Sequence, residues 1–178
     1  GHGALPHTTV DPIVVAAHIV SGLQSIVARN VEPADAGVVT IGKIEGGDTF
    51  NVIPQTVHML GTARWFTPAV GDQLEQGVRR IAAGIAEGFG ARADVEFRRT
   101  YIATVNDPEA TALTVRAAET VTGERQVQEM IRPTMGGEDF SFMLAAKQGS
   151  YITLGARRGA DDPSVHHPRY DFNDGLLP

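Results

Sequence analysis

The side chains that could do chemistry lie in a few short segments rich in glycine or proline. His2 and His7 flank a proline in the segment GHGALPH, where an imidazole could polarise a carbonyl group or bind a metal ion. Near the other end of the chain, His166 follows a predicted strand in VHHPRYDFND, and nearby aspartates could orient a metal-bound imidazole. Each segment is also compatible with an ordinary surface loop, because one histidine does not make a metal site.

Three further segments carry candidate substrate-binding groups. Asn51 in EGGDTFNVIP could bind a polar substrate group through its amide, or it could simply be a turn residue. Arg64 in GTARWF could bind a carboxylate through two parallel hydrogen bonds, or it could be a solvated strand arginine. In TMGGEDFSF, Gly137 permits close approach of the backbone to a ligand. Its neighbour Glu138 could instead act only as a favourable charge at a helix start.

The elements that must position these side chains follow the order β-α-β-β-α-β over residues 1–105. Asp11 predicts the start of the first helix and Thr67 that of the second, because each is an oxygen-bearing cap followed by proline. A partial strand would lead into Gly1. The other predicted strands cover 36–47, 56–66 and 91–105. This order is the ferredoxin-like pattern.

Residues 106–178 read as a separate α/β part. Asp107 caps a predicted helix that Gly123 ends. A glycine turn then leads into a short helix, and 149–157 is a single buried-looking strand. One strand cannot build a sheet alone, and the chain begins without methionine. We therefore expect this chain to be a fragment of a longer protein.

Composition excludes several classes of function. With 42% hydrophobic and 20% charged residues the chain is globular, and its net charge of −6 disfavours nucleic-acid binding. No apolar run approaches the roughly 18 residues of a membrane span, so no membrane association is expected. The absence of cysteine excludes disulfides and thiolate ligands within the chain and fits a cytoplasmic location.

Five segments in the same order resemble the hippurate hydrolase and N-acyl-amino-acid amidohydrolase family. These are two-domain di-metal peptidases related to aminoacylases and auxin-conjugate hydrolases. The segments are GHGALPHTTVDPIVVAAHIV, GGDTFNVIP, GTARWF, MGGEDFSFML and HHPRYDFND. The resemblance covers essentially the whole chain and implies an α/β (α+β) fold. Residues 1–105 would be the ferredoxin-like lid and dimerisation domain, and residues 106–178 the C-terminal part of the metal-binding catalytic domain.

The same resemblance implies roles for the lid residues. His2 matches the histidine that reaches into the partner subunit's active site and stabilises the oxyanion. Asn51 and Arg64 match the residues that hold the free carboxylate of the substrate. A homodimer through the lid is therefore an implied partner, together with a small-molecule N-acyl amino acid.

For the catalytic part, the resemblance implies one metal ligand and a segment that lines the site. His166 matches the final ligand, with His167 as the neighbouring alternative. Gly137 and Glu138 match the lining segment. The full-length enzyme would hold two divalent ions, such as Zn, Mn, Co or Ni, and its remaining ligands and general base would precede Gly1.

The implied activity is metal-dependent hydrolysis of the amide bond of N-acyl amino acids such as hippurate, which yields a carboxylic acid and an amino acid. In the family, two metal ions lower the pKa of a bound water and polarise the scissile carbonyl. The alternative is a non-catalytic ferredoxin-like module for dimerisation or binding. Because a catalytic site needs several ligands, the chain alone is expected to be inactive.

Overall fold

Three helices begin at a proline that follows an oxygen-bearing cap residue. The side chain of Asp11 accepts a hydrogen bond from the Ile13 N–H at 2.9 Å, and that of Asp107 accepts one from the Ala110 N–H at 2.9 Å. Thr67 caps the helix between them in the same way. Such a cap contributes roughly 0.5–2 kcal/mol. The predicted starts of these helices are confirmed.

The computed structural model describes residues 1–123, 126–129 and 132–176. The described residues form α1 (Pro12–Arg29), β1 (Gly37–Glu45), β2 (His58–Trp65), α2 (Pro68–Gly88), α3 (Pro108–Thr122) and α4 (Phe140–Ala146). Single turns of 3-10 helix lie at Pro6–Thr8 and Asp174–Leu176. The parts of the predicted second domain at 124–125, 130–131 and 177–178 lie outside the described residues.

The two strands form a long antiparallel hairpin, so residues at opposite ends of its ladder are far apart. Gly37 pairs with Trp65 at one end and Glu45 pairs with His58 at the other. Between them the register shifts by one residue after Ile41, which is a β-bulge. The middle of the hairpin is tight, because a Cβ atom on Gly61 would lie 2.5 Å from the Thr40 carbonyl oxygen.

The core lies on one face of this hairpin, where α1 and α2 pack against each other and against both strands. Alternate β2 residues, including Ala63 and Trp65, pack against this core. Arg64 lies between them in sequence and therefore projects from the opposite face of the hairpin. Its buried branched side chains include Val15, Ile19, Leu23, Ile26, Val70 and Leu74.

Helix α1 is long and apolar enough to cross a membrane by length and composition, which the sequence analysis did not anticipate. Its packing is that of a core helix, however. Val15, Ile19, Leu23 and Ile26 form a buried stripe at helical spacing that contacts the rest of the core. The burial of this stripe accounts for part of the hydrophobicity of the helix, whereas Ile13 and Val14 at its start are exposed.

The strand predicted at 91–105 is not formed. The segment keeps the alternation of a strand, with Ala91, Ala93 and Val95 packed against the core, but it makes no ladder hydrogen bonds. In the ferredoxin-like order the last strand pairs with the first. Ahead of α1, the described residues supply only a single bridge to Val52 in place of the predicted partial first strand. The α/β class is confirmed, but within the described ranges the sheet has two strands.

Arginine side chains hold the 91–105 segment against α2. Arg79 donates to the Val95 carbonyl oxygen at 2.7 Å. The guanidinium of Arg99 lies 2.7 Å from the Asp72 carboxylate and 2.8 Å from that of Glu75. These contacts fix the segment in an extended form without strand pairing.

The strand predicted at 149–157 is also absent, since no neighbouring strand exists in the described residues. Its first residues are instead fastened to the start of α3. The Asp107 N–H donates to the Gly149 carbonyl oxygen at 3.0 Å, and the Asn106 side chain makes two hydrogen bonds with the backbone of Tyr151. The domain boundary near residue 105 stays a prediction.

Replacing Leu74 by alanine should lower the free energy of unfolding by roughly 2–5 kcal/mol, because its side chain is 0% exposed at the centre of the core. Leu113→Ala in α3 is the matched control, since that leucine is 62% exposed. Urea denaturation of both variants measures the difference. Equal losses would contradict this assignment of the core.

Candidate functional site

The backbone places His2 near Asn51, because the first residues of the chain pair with the loop between β1 and β2 and His2 lies opposite Val52. The Gly3 N–H donates to the Asn51 carbonyl oxygen at 2.8 Å, and the Ile53 N–H donates to the Gly1 carbonyl oxygen at 2.8 Å. A Cβ atom on Gly3 would lie 2.8 Å from that Asn51 oxygen. Glycine is therefore required at position 3 for this close approach.

Both side chains in this pair present hydrogen-bond donors to solvent. His2 Nδ1 accepts a hydrogen bond from the Ala4 N–H at 3.1 Å, so a neutral imidazole carries its proton on Nε2. Thr49 donates its hydroxyl to Asn51 Oδ1 at 3.3 Å, which leaves the Asn51 amide nitrogen to donate outward. The pair could therefore stabilise an oxyanion or bind a carboxylate.

Arg64 is a half-buried cation beside the glycine turn. Its Nη1 donates to the Ala63 carbonyl oxygen at 3.2 Å, and within the described residues no carboxylate lies within ion-pair distance of it. A Cβ atom on Gly137 would lie 3.6 Å from Arg64 Nη2 and 3.1 Å from the ring of Tyr101. These residues line a cavity of about 50 Å³. A partly desolvated guanidinium without an anion is suited to an anionic ligand.

The hairpin separates these two groups within one chain. Arg64 pairs with Val38 near the start of β1, whereas the Asn51 loop joins Glu45 to His58 at the other end. The six-residue step from His58 to Arg64 corresponds to about 20 Å of strand. Of the predicted site residues, His2 lies near Asn51 through backbone pairing and Arg64 lies beside Gly137, but one chain does not bring all four together.

Glu138 has a partner that the sequence did not reveal. The Tyr151 hydroxyl donates to Glu138 Oε2 at 2.7 Å. This hydrogen bond, followed by one with Asp139, lowers the pKa of the Glu138 carboxyl, and the carboxylate in turn raises the pKa of the Tyr151 phenol. No sequence signal pointed to Tyr151, because it lies 13 residues away within a segment predicted as an apolar strand.

His166 is exposed in the loop after the segment 149–157. Its φ of 72° places it in the left-handed region, where a non-glycine residue is uncommon. The neighbouring His167 has its Nδ1 engaged by the Arg169 N–H at 3.0 Å. Among the residues that the structure describes, no group of three or more histidine, aspartate or glutamate side chains could hold a metal. These residues alone therefore do not fit a metal centre.

Comparison with known proteins places the chain in a peptidase family. Residues 4–177 match the family described as peptidase family M20/M25/M40. The chain is 35% identical to N-acetyldiaminopimelate deacetylase of Geobacillus sp. over 99% of its own length and 46% of that protein. It is 36% identical to IAA-amino acid hydrolase ILR1-like 4 of Arabidopsis thaliana, over 100% of the chain and 42% of that protein.

A solved structure gives the same result. The YXEP protein of Bacillus subtilis, described as a dinuclear metal binding peptidase from the M20 family, superposes with a TM-score of 0.65 at 29% identity. The match covers 93% of this chain and 42% of that protein. The chain thus spans less than half the length of the relatives it matches.

Tyr151→Phe should raise the pKa of the Glu138 carboxyl toward its ordinary value, because the largest stabiliser of the carboxylate is lost. An NMR pH titration of the Glu138 side chain measures the shift. Tyr170→Phe is the control, since no hydrogen bond involves the Tyr170 hydroxyl among the described residues. An unchanged titration in Tyr151→Phe would show that this hydrogen bond is not formed in solution.

Proposed function

Because the chain belongs to peptidase family M20/M25/M40, we propose that it is the C-terminal half of a metal-dependent amidohydrolase. The full-length protein would cleave the amide bond of N-acyl amino acids, including hippurate-like substrates. The names of two relatives, a deacetylase of an N-acetylated amino acid and a hydrolase of IAA-amino acids, support this class of substrate. The cytoplasmic location remains a prediction from the cysteine-free composition.

The environment of Arg64 is the observation that carries this proposal. It is half-buried, has no carboxylate partner in the described part of the chain, and faces the cavity beside Gly137. The free α-carboxylate of an N-acyl amino acid provides the missing anion. A guanidinium can bind it through two parallel hydrogen bonds, which fixes the orientation of the substrate as well as its charge.

His2 and Asn51 would act on a substrate held by a second copy of the chain. They lie about 20 Å of strand away from Arg64 in the same chain, too far to reach one amino-acid substrate. A homodimer through residues 1–105 would bring the His2 Nε2–H of one copy to the scissile carbonyl at the other. β1 supports this arrangement, because within the described residues its edge away from β2 is unpaired, and the strand carries apolar residues.

The steps assigned to this chain are substrate binding and stabilisation of the oxyanion. His166 is its one candidate metal ligand, and the other ligands of a two-metal site would come from outside the described residues. We therefore assign no step of the reaction to the metal ions, and Zn, Mn, Co and Ni all remain candidates.

A non-catalytic dimerisation or binding module is the second candidate function. The observation that favours it is the lack of a metal-ligand cluster within the described part of the chain. The half-buried, unpartnered Arg64 favours the enzyme over a module for dimerisation alone, because dimerisation does not require such a cation. The following two predictions separate these candidates.

In the full-length protein, Arg64→Ala should weaken hydrolysis of N-acyl amino acids but spare their methyl esters. Loss of a charged hydrogen bond costs roughly 1.5–3 kcal/mol, or about 10- to 150-fold in kcat/KM. Arg92→Ala is the matched control, because that arginine is exposed and paired with Asp94 away from the cavity. Equal losses on acids and esters would remove Arg64 from carboxylate binding.

His2→Ala should lower kcat by about 100-fold with little change in KM, since an oxyanion donor acts mainly in the transition state. Metal content should stay unchanged, and His7→Ala serves as the control. Co-expression with His166→Ala subunits should restore part of the activity, because one site of a mixed dimer then keeps both groups. Mixed dimers without any rescue would exclude action of His2 on the partner's site.

A further inference from the structure

The hydrogen bond between Tyr151 and Glu138 is short and charge-assisted. The donor and acceptor oxygens lie 2.7 Å apart, at the distance expected when a hydroxyl donates to an ionised carboxylate. Glu138 is half-buried, and no lysine, arginine or histidine lies within ion-pair distance of it among the described residues. The phenol is therefore the main group that fixes the direction of this carboxylate.

Tyr151 is itself held in place from two sides. Its backbone N–H donates to Asn106 Oδ1 at 2.8 Å, and its carbonyl oxygen accepts from Asn106 Nδ2 at 2.9 Å. Its ring packs against Phe140, with ring centroids 5.5 Å apart. The hydroxyl consequently has a defined position relative to the start of α3, and it transmits that position to Glu138.

The residue next to Glu138 is the glycine that lies against Arg64. Gly136 and Gly137 have more backbone conformations open to them than other residues would, so their position depends on the residues around them. A fixed Glu138 limits the positions that Gly137 can take beside the Arg64 guanidinium and the Tyr101 ring. Such restriction before binding lowers the entropic cost of binding a ligand.

We propose that Tyr151 is a positioning residue, which anchors Glu138 and thereby keeps the glycine turn in place beside Arg64 for the substrate carboxylate. This inference rests on the proposed function, because it assumes that the cavity beside Arg64 receives a carboxylate. Tyr151 touches neither substrate nor reacting atoms. Its effect is on the affinity of the site for substrates with a free carboxylate.

Kinetics of the full-length protein test this role. Tyr151→Phe, which keeps the ring against Phe140, should raise KM for N-acyl amino acids about 5- to 10-fold. This is less than the loss of a charge-assisted hydrogen bond to the ligand itself, because Tyr151 acts on the site only through Glu138 and the glycine turn. The value of kcat should stay within about twofold, and methyl esters should be affected less, because only the binding of the acid is impaired. Tyr170→Phe is the control.

Two variants of Glu138 complete the test. Glu138→Ala should match Tyr151→Phe, and the double variant should be no worse than either, because both remove the same interaction. Glu138→Gln keeps an acceptor for the phenol and should lie closer to the wild type. Glu138→Ala also carries the test if Tyr151→Phe fails to fold.

The outcomes separate the inference from the proposed function. If Arg64→Ala weakens acids selectively but Tyr151→Phe and Glu138→Ala do not, the inference is wrong and the proposed function stands. A loss in kcat that is equal for acids and esters would show a general structural role and would also overturn the inference. A wild-type protein without carboxylate-dependent hydrolysis would overturn both.

Discussion

The register of the β1–β2 hairpin is the constraint on which the rest of the structure depends. Its antiparallel pairing runs without interruption, apart from one bulge, from Gly37 opposite Trp65 to Glu45 opposite His58. The two polar groups of the candidate site therefore sit at opposite ends. Because α1 and α2 cover one face of the hairpin, the face that carries Arg64 is left for a ligand. A site that needs both groups has to be built from two chains.

The arginines of the chain differ in whether they lie beside a carboxylate. Several lie against carboxylates, and Arg99 in particular joins Asp72 and Glu75 beneath the ring of Trp65. Such exposed pairs contribute little stability singly, but they position the extended segment 91–105. Arg64 differs from them, since it is partly desolvated and has no anion near it in the described residues. Exposed arginines such as Arg29 and Arg80 also lack a carboxylate partner among the described residues, so it is the partial burial of Arg64 beside a cavity that is typical of a binding site.

The helices and the hairpin could be predicted from sequence because their signals are local. Asp11, Thr67 and Asp107 each precede a proline and an apolar repeat, and each caps a helix as expected. The strand at 91–105 could not be judged in this way, since a strand depends on a partner distant in sequence. The alternation of apolar residues in this segment correctly indicates which side faces the core, but it does not indicate strand pairing.

For the candidate site too, sequence indicated the local features but not the contacts between distant residues. The types of His2, Asn51 and Arg64 indicated their chemistry, whereas their grouping into two pairs depends on the hairpin register. Tyr151 was missed because a hydrogen bond between residues 13 positions apart leaves no periodic pattern. His166 remains a prediction as a metal ligand, since no second ligand lies beside it in the described residues.

Spin-label distances across the dimer distinguish a site shared by two chains, as we propose, from one built within a single chain. The chain has no cysteine, so His7→Cys and Arg98→Cys give single labels near His2 and at the Arg64 cavity. We predict that mixed dimers, with one label on each chain, give an intersubunit distance that is shorter than the intrachain distance. The intrachain distance is measured on a chain that carries both labels, diluted with unlabelled chains. A chain that stays monomeric, or an intersubunit distance longer than the intrachain one, would contradict the account.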